Sequence, residues 1–251
     1  MAALQGGLFL LVSQGENMKP VAIFQHYPGE GPGYFAEFAE RVHLKTRLFQ
    51  GYEGQTLPES CRDYAGLVVM GGPMSVRDRL PFVEAEKRLI AEAVKLEIPV
   101  IGHCLGGQLL AEVLGGEITD NPGGSEIGWH PLSSHEPAGA HWFGAADGVE
   151  VFHWHSENFT LPRGAQLLMS SAHCPHQAFS HGIHLGMQFH IEMTSHMLEH
   201  WSECEDELAP HLGKPGVQEA LELKGNATQR VLGSNRLAEH AYRVWVQGLK
   251  T

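Results

Sequence analysis

The stretch Pro99-Val100-Ile101-Gly102-His103-Cys104-Leu105-Gly106-Gly107-Gln108 joins a short apolar run to the start of a helical pattern. We interpret the run as a buried strand, and the helical spacing continues to Leu114, where a glycine pair marks a helix end. A sharp turn from strand to helix crowds the backbone and requires a residue without a β-carbon on either side. Gly102 and Gly106 meet this requirement, so the turn presents Cys104 at the carboxyl end of the strand.

Strand and helix patterns alternate on the amino-terminal side of this turn. Val21–Gln25 is apolar and typical of a strand, and Gly33–His43 has helical spacing. Leu67–Met70 is a continuous apolar run that ends in Gly71-Gly72-Pro73, as expected for a buried parallel strand that reaches a turn. A helix is predicted from about Phe82 to Leu96. This order predicts right-handed βαβ units and a mainly parallel sheet.

The second half of the chain has a different pattern. Between Glu117 and Gly186, proline and glycine interrupt short strand-like runs such as Val149–Trp154 and Gln166–Ser171, which indicates antiparallel additions and loops. Beyond these, Leu198–Leu208 and Leu237–Val246 have helical spacing. We therefore expect one α/β domain with a mainly parallel central sheet, antiparallel additions and a helical C-terminal extension.

The domain boundaries follow from these patterns. Residues 1–17 carry no recognisable chemistry, and we expect a disordered arm or an upstream translation start there. Their apolar run, Leu8–Val12, is too short to span a bilayer and follows no basic region. Residues 18–195 are predicted to form the catalytic domain, and residues 196–251 a helical extension packed on it.

Composition narrows the classes of partner. The 251 residues include 17 Lys and Arg against 29 Asp and Glu, which gives a formal net charge of −12. Nucleic-acid and anionic-membrane binding depend on clustered positive charge, so we expect neither. The four cysteines lie far apart and do not suggest a disulfide framework, which favours a cytoplasmic location. The 17 histidines match no closed zinc spacing, so neither a metal site nor a cofactor is expected.

A second stretch supplies a partner for Cys104. Gly186-Met187-Gln188-Phe189-His190-Ile191-Glu192 is a strand-like run that ends in a histidine, with a carboxylate two residues later. A cysteine nucleophile needs a base and an acid, and histidine serves as both when a carboxylate orients its ring. The competing interpretation is a buried structural cysteine and a histidine without a catalytic role. Only folding would bring the two stretches together.

Taken together, these residues resemble the class I glutamine amidotransferases, and most closely the stand-alone proteins called GMP synthase-like. The resemblance covers about Val21 to Glu192, with the family's motifs in order: Gly71-Gly72-Pro73, Gly102 to Gln108, Val151-Phe152-His153-Trp154-His155-Ser156-Glu157, and Gln188 to Glu192. One departure is Ile191, where the family usually has proline. The resemblance implies a flavodoxin-like three-layer sandwich.

The resemblance also implies a role for individual residues. Cys104 would attack the side-chain amide of glutamine, His190 would transfer the proton, and Glu192 would orient His190. The N–H groups of Gly72 and Leu105 would stabilise the oxyanion. The residues expected to hold the substrate are Gly71, Gln108, His155 and Ser156. Ammonia would leave, and water would release glutamate from a γ-glutamyl thioester.

The fate of the ammonia is left open by the sequence. Few residues follow Glu192, and no Gly-x-x-x-x-Gly-Lys-[Ser/Thr] phosphate loop occurs in the chain, so we do not expect a complete GMP synthase. Either a separate synthase subunit binds this chain, or the chain is a free-standing hydrolase of γ-glutamyl compounds. A catalytically idle binding module is a third alternative, against which the intact Cys104, His190 and Glu192 argue.

Overall fold

The computed structural model describes residues 18–251, and its centre is an eight-stranded sheet. Residues 18–251 form twelve strands: β1 (Val21–Gln25), β2 (Thr46–Gln50), β3 (Gly66–Val69), β4 (Val100–His103), β5 (Ile118–Asp120), β6 (Glu126–Pro131), β7 (Ser133–Ser134), β8 (Glu150–His155), β9 (Glu157–Phe159), β10 (Gln166–Ser170), β11 (Ala178–His181) and β12 (His184–Met187). The central order is β2-β1-β3-β4-β12-β11-β10-β7. In this order the first five strands are parallel to one another, and each of the last three pairs antiparallel with the strand before it. Two antiparallel pairs, β5-β9 and β6-β8, lie outside this sheet.

Helices cover both faces of the sheet. They are α1 (Gly33–Arg41), α2 (Pro81–Lys95), α3 (Leu105–Val113), α4 (Ala138–Phe143), α5 (Ser195–Trp201), α6 (Glu205–Leu208), α7 (Ala220–Lys224) and α8 (Ala227–Trp245). Side chains of β1 alternate between two cores: Val21 and Ile23 pack with α1 and α8, whereas Ala22 and Phe24 pack with α2 and α3. This period-two alternation confirms the predicted α/β sandwich with a mainly parallel sheet and antiparallel additions.

Within the described residues 18–251, no helix combines the length and apolar character needed to cross a bilayer. The arm predicted for residues 1–17 lies outside the described residues.

Two helix predictions near the C-terminus need correction. The single helix predicted for Leu198–Leu208 is two helices, α5 and α6, because the chain turns at Ser202, whose hydroxyl donates to the Glu199 carbonyl at 2.8 Å. The predicted Leu237–Val246 helix begins ten residues earlier, at the start of α8. Its first half is mainly polar, so it lacks the apolar period that sequence reasoning detects.

Helix α8 is fastened to the sheet by one large aromatic side chain. Trp245 is 1% exposed, and its ring lies 6.0 Å from that of Phe35 on α1 in an edge-to-face arrangement. The backbone of β3 comes close to the same ring, because a β-carbon on Gly66 would lie 2.9 Å from Trp245 Cζ2. Burial of so large a ring is the main local contribution to holding α8 in place.

A buried histidine–carboxylate pair lies where β1 ends. His26 Nε2 is 2.6 Å from a Glu86 carboxylate oxygen on α2, and His26 Nδ1 is 3.0 Å from the Gly71 carbonyl oxygen. Both partners only accept hydrogen bonds, so the arrangement favours the doubly protonated ring. Burial alone lowers the pKa of His26, but the charge and hydrogen bond of Glu86 outweigh it and the net pKa is raised. The pair therefore anchors the backbone at Gly71.

We expect Trp245→Ala to lower the free energy of unfolding by about 3–5 kcal/mol, because it leaves a cavity between α8 and the sheet. Urea denaturation followed by circular dichroism measures this change. Leu232→Ala on the same helix is the control, since Leu232 is 54% exposed and its loss should cost less than about 0.5 kcal/mol. Equal effects of the two changes would contradict the packing argument.

We also expect the stability contributed by His26 to depend on pH. Because its pKa is higher in the folded than in the unfolded chain, the contribution is complete below about pH 6.5 and is lost as pH rises through the folded pKa. The difference in unfolding free energy between the wild type and His26→Gln should therefore shrink from pH 6 to pH 9. Exposed His196→Gln is the control. A difference that stays constant or grows would show that the buried ring is neutral.

Candidate functional site

Cys104 lies in a strained turn between β4 and α3. Its backbone has φ of 48° and ψ of −108°, a left-handed conformation that is uncommon for a residue with a side chain. A β-carbon on Gly102 would collide with the Gly106 carbonyl, and one on Gly106 would collide with the Val69 carbonyl. The two glycines therefore permit the close approach that holds Cys104 in this conformation, as the sequence analysis expected.

The register of the parallel strands brings the predicted site segments to one edge of the sheet. Val69 of β3 pairs with Gly102 of β4, which pairs with Gly186 of β12. The residues that follow these three strands therefore converge. A β-carbon added to Gly71 would lie 3.0 Å from His190 Cε1 and 3.6 Å from Cys104 Cβ. Gly71 is thus the point where the nucleophile and histidine candidates meet, although they are far apart in sequence.

His190 and Glu192 form a buried pair. His190 Nδ1 lies 2.7 Å from a Glu192 carboxylate oxygen, and neither residue is more than 1% exposed. Burial lowers the pKa of His190, but the charges of Glu192 and Cys104 outweigh it, and the pKa lies well above 6.5. Burial raises the pKa of Glu192, but the charge of His190 and its hydrogen bond to Glu192 outweigh it, and the net pKa is lowered. The pair therefore favours an imidazolium next to a carboxylate.

The second oxygen of Glu192 faces another buried histidine. His103 Nε2 is 3.9 Å from Glu192 Oε2 and 3.1 Å from the hydroxyl of Tyr242, which lies on α8. Burial lowers the pKa of His103, so its ring is neutral at neutral pH. A neutral ring supports Glu192 without competing with His190 for its charge. The C-terminal helix thus reaches the candidate site through Tyr242.

The two predicted oxyanion donors are neighbours. A β-carbon on Gly72 would lie 3.0 Å from Leu105 Cδ2 and 2.9 Å from His26 Cβ. Leu105 begins α3, so its N–H belongs to the first turn, where helical geometry provides no acceptor. A helix N-terminus favours an anion, and the arrangement of Gly72 and Leu105 beside Cys104 is suited to one.

A cavity of about 670 Å³ opens in front of Cys104. Of the residues predicted from the sequence, those that line it are Gly72, Cys104, Leu105, Gln108, His155, Ser156 and His190. Gly71 and Glu192 lie behind this wall, against or beside His190. The fold therefore brings the whole predicted set to one place.

Two of the predicted binding residues form hydrogen bonds with other residues of the protein. The Gln108 amide donates to Gln188 Oε1 at 3.1 Å, and the Gln188 amide lies 3.6 Å from Cys104 Sγ. His155 Nε2 is 3.1 Å from Glu126, and its Nδ1 is 3.0 Å from the Glu157 carbonyl oxygen. These contacts favour a supporting role for both side chains over direct contact with a ligand.

Sequence reasoning missed Glu30. This partly buried carboxylate lines the cavity and packs against Gly71 beside His190. Burial raises its pKa to about 7, and the charge of Glu192 adds to this shift, whereas His190 opposes it. One signal was available: Glu30 lies in the glycine-rich segment Gly29-Glu30-Gly31-Pro32-Gly33, just after β1, at the carboxyl edge of the sheet. Ligands bind at that edge in open α/β sheets.

The rim of the cavity opposite Glu30 is held by ion pairs. Arg77 pairs with Asp120 at 2.7 Å and also with Glu157, which accepts hydrogen bonds from Ser75 as well. These contacts join the loop after Gly72 to the β5-β9 pair. The arrangement as a whole offers a cysteine nucleophile candidate, a histidine with a carboxylate partner and a helix N-terminus, the set required for acyl transfer.

Comparison with known proteins agrees with this geometry. A sequence profile described as glutamine amidotransferase class-I matches residues 39–200. The glutamine amidotransferase-like protein YfeJ of Salmonella typhimurium is 32% identical over 211 residues, covering 79% of this chain and 87% of its own length. A crystal structure of a glutamine amidotransferase from Methylobacillus flagellatus has a TM-score of 0.89 and 40% identity, covering 93% of this chain and 96% of that chain.

A longer relative shares only one part of its length with this chain. The glutamine-hydrolysing GMP synthase of Streptomyces avermitilis is 30% identical over 182 residues, which are 68% of this chain but 33% of the synthase. The chain thus spans about a third of that relative. The profile, the high coverage of YfeJ and the structural similarity agree with one another, and the chain therefore belongs to the class I glutamine amidotransferase family.

Proposed function

We propose that this chain hydrolyses the side-chain amide of glutamine through a γ-glutamyl thioester on Cys104, releasing ammonia and glutamate. The observation that carries the proposal is the meeting of Cys104 and His190 across Gly71, with Glu192 2.7 Å behind His190. Family membership supports glutamine amide hydrolysis in general. The residue assignments are our own proposal.

In the first step the Cys104 thiolate attacks the side-chain carbonyl carbon. The positive charge of His190 stabilises the thiolate, and Glu192 stabilises the imidazolium. A carbon–sulfur bond forms, and the carbonyl oxygen becomes an anion that accepts hydrogen bonds from the N–H groups of Gly72 and Leu105. His190 then gives its proton to the departing nitrogen, so that ammonia leaves and the thioester remains.

In the second step water replaces the nitrogen. His190, now neutral, accepts a proton from water while the water oxygen attacks the thioester carbon, and the same two N–H groups stabilise the second oxyanion. The carbon–sulfur bond breaks, glutamate leaves, and Cys104 returns to the thiolate beside the His190 imidazolium.

The amino-acid end of the substrate is assigned to the cavity in front of Cys104. We propose that Gly71, Gln108, His155 and Ser156 shape this part of the cavity, with the side chains of Gln108 and His155 acting through their protein partners. The Glu30 carboxylate adds a negative charge that attracts the substrate's α-ammonium group. Such a cation loses hydration when it enters the cavity, and a negative partner compensates for that loss.

A second candidate substrate is a γ-glutamyl amide or peptide, and the size of the cavity favours it. A volume of about 670 Å³ lies within the range of pockets that bind drug-sized ligands, whereas glutamine is a much smaller molecule. The chemistry is unchanged except that an amine leaves in place of ammonia. Alternatively, a separate synthase subunit covers the cavity and takes up the ammonia, since GMP synthases contain a segment related to this chain.

We expect Cys104→Ala to lower glutamate release from glutamine and from γ-glutamyl peptides by at least about 10³-fold, because it removes the attacking atom. Coupled-enzyme detection of glutamate measures this loss. Cys61→Ala is the matched control, since Cys61 is buried away from the cavity and burial raises the pKa of its thiol to about 12. Wild-type rates in Cys104→Ala would overturn the nucleophile assignment.

Labelling with a glutamine analogue that alkylates thiols separates the alternatives. Fast hydrolysis of a γ-glutamyl peptide by the wild type indicates a self-sufficient hydrolase. Slow hydrolysis with full labelling of Cys104 indicates a site that requires a synthase partner. If the wild type shows no hydrolysis and Cys104 is not labelled, the result contradicts the proposal and favours a catalytically idle module.

We expect Glu30→Gln to raise KM for the substrate more than it lowers kcat, and to lower kcat/KM by roughly tenfold or more at pH 8. Because the pKa of Glu30 is about 7, its carboxylate is charged above that pH and neutral below it. The ratio of wild-type to variant kcat/KM should therefore rise with pH through about 7. His190, Glu192, His26 and Glu207 are the charged groups that act on it.

Glu207→Gln is the control for this change, because Glu207 lines the same cavity. It should retain the ionisation of Glu30 in the pH profile, displaced to lower pH because the charge of Glu207 raises the pKa of Glu30. A ratio between the wild type and Glu30→Gln that does not vary with pH would assign Glu30 a structural role only.

A further inference from the structure

A second cluster of ionisable side chains lies on the β6-β8 pair, and of its members only His155 also borders the proposed substrate cavity. Glu126 of β6 pairs in register with His155 of β8, and Gly128 pairs with His153. His153 and His155 are two residues apart on a strand and so point to the same face. One ligand atom from each of Glu126, His153 and His155 lies within 4.8 Å of the other two.

The hydrogen bonds of His155 leave one ring nitrogen directed at an anion. Its Nδ1 is 3.0 Å from the Glu157 carbonyl oxygen, which only accepts, so Nδ1 carries the proton. In a neutral ring Nε2 then presents a lone pair, yet Nε2 lies 3.1 Å from Glu126 Oε2. Two electron-rich atoms at this distance repel each other unless a proton or a metal cation is shared between them. A backbone carbonyl on the far nitrogen is also the usual support of a metal-binding histidine.

His153 provides an independent observation. The residue is 0% exposed, and within residues 18–251 neither of its ring nitrogens has a hydrogen-bond partner. Its Nδ1 lies 3.7 Å from the same Glu126 Oε2. A buried polar atom without a partner is costly, and coordination of a cation would remove that cost.

The carboxylate of Glu126 is held in place from outside the cluster. Its Oε1 accepts the hydroxyl proton of Ser171 at 2.7 Å, and its Oε2 accepts from the Gln177 amide at 2.6 Å. Hydrogen bonds of this kind orient the carboxylate ligands of metal ions.

We propose that Glu126, His153 and His155 bind one divalent transition-metal ion of the zinc class. Ligands about 2.0–2.1 Å from a tetrahedral zinc ion lie about 3.4 Å from each other, and the 3.1 and 3.7 Å separations bracket that value. Two imidazoles and one carboxylate are a donor set suited to such ions. Water supplies the remaining ligand.

The site has an entry path and a structural role. His155 is 6% exposed and borders the cavity in front of Cys104, so an ion reaches the cluster from there. The metal would tie β6 to β8 behind the cavity wall. It is not a participant in the proposed hydrolysis. The competing arrangement, a doubly protonated His155 paired with Glu126, satisfies His155 but leaves both nitrogens of His153 without partners.

Metal content tests the proposal without any activity measurement. The full chain is stripped with a chelator, incubated with Zn²⁺, passed through gel filtration and analysed by mass spectrometry for bound zinc. We expect one zinc ion per chain, and a tetrahedral visible absorption spectrum when Co²⁺ replaces Zn²⁺. The same measurements in Cys104→Ala exclude binding by that thiol. Chains that retain no zinc, or an octahedral Co²⁺ spectrum, would overturn the proposal.

A pair of variants assigns the ligands. His153→Gln should weaken Zn²⁺ affinity by about 100-fold or more and abolish the Zn²⁺-dependent rise in melting temperature. Exposed His196→Gln should change neither. If His153→Gln does not fold, Glu126→Gln takes its place and should show the same loss of Zn²⁺ affinity. Wild-type zinc affinity in a folded His153→Gln would refute the assignment, because other histidines would then hold the ion.

Discussion

The close packing of α3 against the backbones of β3 and β12 fixes the position of Cys104. A β-carbon on Gly106 would collide with the Val69 carbonyl, and one on Gly107 would collide with the Met187 carbonyl. No side chain separates the helix from the two strands. Cys104 must therefore complete the turn in a left-handed conformation, and the N-terminus of α3 lies directly beside Gly72. Any larger residue would lift the helix and move the thiol away from His190.

In the proposed reaction, the protonation states of the buried histidines near Cys104 determine how its thiol is activated. Glu192 lies between His190 and His103, and the neutral His103 leaves the carboxylate charge for His190. On the other side of Gly71, a charged His26 holds the backbone carbonyl. These groups lie in a low-dielectric interior, where an uncompensated charge is costly, so carboxylate partners keep His190 and His26 charged, whereas burial keeps His103 neutral. Tyr242 makes α8 part of this arrangement.

Much of the fold, and the turn that holds Cys104, could be predicted from local patterns in the sequence. The strand at Val21–Gln25 and the turn at Cys104 follow from apolar runs and glycine placement, which are local properties. The first half of α8 was missed because its polar residues are held by tertiary packing. Glu30 was missed because its altered pKa depends on burial by distant segments. The cluster of Glu126, His153 and His155 could not be predicted because its residues come from two paired strands and have no zinc-like spacing in the sequence.

The β6-β8 pair connects these separate features. An isolated two-stranded ribbon is marginally stable in water, so this one depends on what packs against it. On one side it packs in an apolar cluster with α5, and its other contacts include the buried Glu126–His155 pair. From β8, the Phe152 carbonyl accepts the His190 N–H at 2.9 Å, and the Trp154 carbonyl lies 4.0 Å from Cys104 Sγ. The distance between nucleophile and base therefore depends on a ribbon outside the central sheet, and whatever rigidifies that ribbon also rigidifies the reactive pair.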